Sequence, residues 1–77
     1  MNNIKQAETE YINTYTRFNT IEEALKRKDA VVNTVKNAIT RENSTNEAFK
    51  LNVHDSVISS NKDGKYVLEI IIEKKFK

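Results

Sequence analysis

The 77-residue chain has no cysteine, no tryptophan and no proline, and only one glycine and one histidine. The lack of cysteine excludes disulfides and thiolate metal sites. A single glycine excludes a glycine-rich loop that could cradle a phosphate. No apolar run approaches the roughly 18 residues that span a bilayer, none exceeding three residues, as in Ile70-Ile71-Ile72. Charge of one sign is also scarce: 13 basic residues stand against 11 acidic ones, a net charge of +2. So small and interspersed an excess implies no dedicated nucleic-acid or membrane surface. The start of the chain lacks the apolar segment of a secretory signal, so the expected location is the cytoplasm. Asn43-Ser44-Thr45 matches a glycosylation sequon, which means nothing without secretion.

Seventy-seven residues predict a single domain over 1–77, with residues 1–8 frayed. A chain of this size buries only about 60% of its unfolded surface, so its stability is marginal on its own. Small domains make up such a deficit with disulfides, a metal or a partner chain. With the first two lacking support, a partner chain is the expected supplement.

What is present falls into three segments. Thr20-Ile21-Glu22-Glu23 reads as a capping box, with the Thr20 hydroxyl accepting from the Glu23 backbone and the Glu23 carboxylate reaching back. Behind it, Ile21, Leu25, Val32, Val35 and Ile39 recur at helical spacing, widened by Ala24, Val31 and Ala38. This predicts a helix over about 20–41, followed by a polar connector from Thr40 to Glu47. A β-hairpin is predicted over about 49–76, turning at Asn61-Lys62-Asp63-Gly64. Phe49, Leu51, Val53 and Val57 alternate with polar residues before that turn. Tyr66, Leu68, Ile70, Ile72 and Phe76 alternate after it.

The first segment is open to two readings. Glu10 to Phe18 is dense in Tyr, Ile, Thr and Phe, which favour a strand. Yet Ile4, Ala7, Tyr11, Thr14, Phe18 and Ile21 keep a heptad spacing, which would suit one long coiled-coil helix followed by a hairpin. The threonines make such a helix costly and the capping box starts a new one. The preferred architecture is therefore α+β, a β-α-β-β domain with one helix packed on a three-stranded sheet.

Reactive chemistry finds little support. His54 is on the polar phase of its strand, and strict alternation turns Asp55 to the opposite face. No further ligands converge on it, and neither a nucleophilic triad nor a glycosidase-like carboxylate pair can be assembled. The chain is expected to be non-enzymatic, with no cofactor and no metal. The element order is loosely similar to that of dodecins and of small sporulation and phage orphans. It lacks the tryptophan that would stack a flavin, and so widely shared an order carries no function.

Two surface features remain. Val67 and Ile71 alternate with the core-facing residues of the last strand, and Ile58 is expected beside them across the hairpin. A strand apolar on both faces belongs between two layers, and the second layer would be another copy or another protein. The expected function is thus a protein-binding or assembly module, self-associating or docking on a larger protein like an accessory or phage-type inhibitor. The alternative is a weak single-stranded nucleic-acid-binding module, in which Tyr11 and Tyr15 stack bases while Arg17, Lys74, Lys75 and Lys77 hold phosphates.

Overall fold

Residues rich in tyrosine and threonine run extended up to Phe18, and the capping box at Thr20 switches the chain into a helix. The computed structural model describes residues 8–76, ordered β1 (Thr9–Phe18), α1 (Ile21–Thr45), β2 (Phe49–Ser60) and β3 (Tyr66–Phe76). The domain is therefore α+β, with one helix on a three-stranded antiparallel sheet. The strand reading of the first segment holds and the continuous coiled coil does not. The Glu23 backbone donates to Thr20 Oγ1 at 3.1 Å, as a capping box requires. The Glu23 carboxylate reaches one residue further back than the motif implies and accepts from the Asn19 backbone at 3.4 Å.

The helix runs on to Thr45, so most of the expected polar connector is helical. Its polar side chains extend it by taking up the last carbonyls. Ser44 Oγ donates to the Arg41 carbonyl at 2.8 Å, and the Asn46 backbone caps the Glu42 carbonyl at 3.0 Å. Asn46 Oδ1 then accepts from the backbones of Ala48 and Phe49, which starts β2. A single residue closes one element and opens the next.

Strand order is β1-β3-β2, with both outer strands antiparallel to β3. The last strand in sequence is thus the central one, flanked by both others. The hairpin turn places Gly64 at φ 76°, a left-handed conformation that glycine adopts without strain. Asn61 Oδ1 accepts from the backbones of Asp63 and Lys65, and Lys65 Nζ ties the turn to Asn19 at 3.0 Å.

The core comprises Phe18, Ala24, Ile39, Leu68, Ile70 and Ile72, with Leu68 and Ile70 wholly buried. Each of the larger side chains, the leucine, isoleucines and phenylalanine, contributes roughly 1.5–3 kcal/mol by leaving water. Val31, Val32 and Val35 of the helix and Leu51, Val53 and Ile58 of β2 pack around this centre. Leu25, expected in the stripe, is 62% exposed. The helix seats through Ala24, Val31, Val32, Val35 and Ile39. Only Phe18 represents β1 in the core, because the helix lies towards the β2 side of the sheet.

One irregularity decides which residues face which way. Val53 pairs with Ile72 and Asp55 with Ile71, leaving His54 as an extra residue in a β-bulge. Beyond it the alternation of β2 is reversed. Ser56 and Ile58 face the helix opposite Ile70 and Leu68, while Asp55 and Val57 face the other side. The expectation that Ile58 joins Val67 and Ile71 is corrected: Ile58 packs on the core, and Val57 takes its place.

Candidate functional site

The sheet face away from the helix is covered by nothing among the described residues. Along β3 it carries Val67, Glu69, Ile71, Glu73 and Lys75. Strand pairing places Arg17, Tyr15, Asn13, Tyr11 and Thr9 on one side of that row. On the other side lie Ser59, Val57, Asp55, Asn52 and Lys50. Cross-strand partners point to the same face, so these fifteen positions form one surface.

Side-chain contacts tie the surface together. Asn13 Nδ2 donates to Glu69 Oε2 at 2.6 Å, and the Tyr15 hydroxyl donates to the same oxygen at 3.3 Å. The Tyr11 ring reaches across β3 to meet His54 edge-to-face, with centroids 5.3 Å apart. His54 therefore shares this face with Asp55, because the bulge cancels the alternation that would have separated them. Neither accepts nor donates a hydrogen bond to the other, and among the described residues no three His, Cys, Asp or Glu side chains gather as a metal requires. Tyr11 and Tyr15 stand 54% and 62% exposed, and Val57 is 42% exposed. Val67 and Ile71 are half-buried between them.

The residues expected to hold a nucleic acid are divided by the fold. Tyr11, Tyr15 and Arg17 share the open face with Lys75. Lys74 points the other way, where its Nζ sits 4.3 Å from the Phe49 ring centroid and 5.1 Å from that of Phe76. Those two rings meet edge-to-face at 6.1 Å. Lys77 falls outside the described residues. Among the described residues of the open face, Arg17, Lys50 and Lys75 are matched in number by Asp55, Glu69 and Glu73, so their charges cancel.

On the helix side, a crevice of about 360 Å³ opens between the second half of α1 and the sheet. Ile12, Val35, Ala38, Ile39, Leu51 and Ile72 make it apolar, with Glu42 and Lys74 at its rim. It exists because α1 leans away from β1, which leaves Ile12 41% exposed. No helix among the described residues is long and apolar enough to cross a membrane. No protein-family model matches the chain, and no curated protein or solved structure matches it either.

Sequence reasoning missed Val57 and Asp55 as members of the open face, whereas His54 is on the polar side where alternation placed it. A signal was present. In unbroken alternation Asp55 falls on the same side as Phe49, Leu51 and Val53, opposite the fully buried Ile70. A lone carboxylate there is costly enough to demand a bulge.

Proposed function

We propose that this domain is a non-catalytic protein-binding or assembly module, and that the open sheet face takes a second protein layer. One observation carries the reading: Val57, Val67, Ile71, Tyr11 and Tyr15 lie together on a sheet face that nothing in the described chain covers. Apolar and tyrosine groups between charges that cancel have the character of an interface core with its polar rim. A sheet apolar on both sides is at home between two layers. The occupant is a second copy or a larger protein.

The test is Ile71→Lys, with mass measured by sedimentation or light scattering and the fold checked by circular dichroism. A lysine introduced into a covered face leaves a buried charge, which costs several kcal/mol and separates an interface of modest size. On an open face the same change stays within about 0.5 kcal/mol. An oligomer of unchanged mass in Ile71→Lys rules this face out as its contact.

Single-stranded nucleic acid is a second reading, supported by Tyr11, Tyr15 and Arg17 sharing the face. Glu69 and Glu73 oppose it, since each stands beside a tyrosine whose stacked base would bring a phosphate close. Titration with a single-stranded oligonucleotide separates the readings. Phosphate contacts weaken steeply as salt rises, whereas a protein interface of this neutral kind does not.

A further inference from the structure

The two edges of the sheet are treated unequally by the chain. On β2, Asn43 Nδ2 donates to the Leu51 carbonyl and Asn43 Oδ1 accepts from the Leu51 backbone, both at 2.9 Å. Three residues on, the bulge at His54 breaks the ladder. A clamped and bulged strand makes a poor template for another strand, which is how sheet edges are ordinarily protected. β1 has neither device. Its ten residues pair with β3 without a break, and its middle, Tyr11 to Thr16, is uncharged and rich in strand formers.

The free side of β1 can be assigned residue by residue. The Phe76 backbone donates to the Glu8 carbonyl at 3.1 Å, so Glu8 and every second residue after it turn towards β3. Thr9, Tyr11, Asn13, Tyr15 and Arg17 therefore direct their N–H and C=O groups outward. Among the described residues no other group bonds to them there. We infer that β1 pairs antiparallel with β1 of a second copy, joining two sheets into one of six strands. This goes beyond the open-face reading, because it names the partner and uses a different surface.

Three properties select this arrangement. Charge is the first: Glu8 and Glu10 stand at one end of the strand and Arg17 at the other. Parallel in-register pairing would set each of these charges beside its own copy, whereas antiparallel pairing separates them. The glutamates lie on the helix side and Arg17 on the open face, so the gain is relief of like-charge repulsion and not an ion pair. Symmetry is the second. A two-fold axis normal to the sheet keeps both helices on one side, so every residue must pair with one of its own face. Centring the pairing on Asn13 satisfies that rule and uses all five outward residues, for about ten hydrogen bonds. It also sets Tyr11 opposite the partner's Tyr15, twice, as aromatic cross-strand pairs. The third property is the uncovered strip. Because α1 leans away from β1, Ile12 stays exposed on the helix side, and this register brings it diagonal to the partner's Ile12. One contact then hides both the free backbone of β1 and its exposed isoleucine.

The experiment uses a substitution that the single copy tolerates. The Asn13 N–H points away from β3, so Asn13→Pro removes a donor only from the outer side, where an edge strand accepts proline. Wild type is expected to sediment as a dimer at high micromolar concentration. Asn13→Pro should weaken dimerisation about tenfold or more, since both hydrogen bonds on the axis are lost. Asn13→Ala keeps the N–H and should remain dimeric. Amide exchange on wild type supplies an independent reading if the proline variant does not fold: Tyr11, Asn13 and Tyr15 should be protected like their β3-facing neighbours. A monomeric wild type, a dimer indifferent to Asn13→Pro, or fast exchange confined to those three amides would overturn the inference. Ile71→Lys keeps the two surfaces apart: a dimer broken by it and not by Asn13→Pro is held by the open face instead.

Discussion

Asp55 shows how one side chain sets the geometry of a whole strand. Paired in simple alternation it would face the helix opposite Ile70, a wholly buried residue, with no cation among the core side chains to receive it. Turning a lone carboxylate towards that apolar side is unfavourable, and the bulge at His54 turns Asp55 to the open face instead. Ser56 fills the vacated place, and Ile58 replaces Val57 in the core. The exchange yields a direct prediction. Ile58→Ala should destabilise the domain by about 2 kcal/mol, near the low end for a partly buried isoleucine. Val57→Ala should stay within about 0.5 kcal/mol in the single copy, where its side chain is on the surface. Chemical denaturation of the two variants measures both, and the opposite ranking would mean that β2 pairs without its bulge.

At the scale of elements, helix and sheet are joined most specifically by Asn43. Its side chain imitates a neighbouring strand, giving and taking one hydrogen bond with the backbone of Leu51. That clamp holds the last turn of α1 against the start of β2. Asn43→Ala should cost about 1–3 kcal/mol by leaving two partners unmade. Amide exchange should quicken over residues 43–46 and at Leu51 while the centre of β3 keeps its protection. Uniform loosening of all strands would instead mark Asn43 as a general stability residue. Such long-range ties were not legible in the sequence, where 40–47 reads as a polar connector because serine, threonine and asparagine favour turns. Here the same side chains return to helix carbonyls or cross to β2 and prolong the helix. By contrast, the cap at Thr20, the turn at Gly64 and the period of two in β3 were legible, each resting on contacts within a few residues. The open face was legible on β1 and β3, where alternation is unbroken. It was misread on β2 because a bulge reverses every residue beyond it.

At the scale of the whole molecule, a long helix laid flat on three long strands gives a slab whose extents are 52 × 29 × 12 Å. Such a shape leaves much surface for each buried residue, and among the described residues six side chains form the buried core. Pairing across the open face or along β1 would thicken or widen the slab and supply the burial that the single chain lacks. The flatness has a consequence of another kind, in hydrodynamics. The radius of gyration is 15.7 Å. A compact domain of this length would have about 11.5 Å, and the larger value is that of a globule of roughly 175 residues. A single copy should therefore experience high friction, sediment slowly for its mass, and leave a gel-filtration column close to where a round protein of twice its size would. Edge pairing should lengthen the particle and raise its frictional ratio further, whereas face-to-face stacking should round it and lower the ratio. Mass from light scattering, set beside the sedimentation coefficient, thus reads the direction of assembly as well as the number of copies.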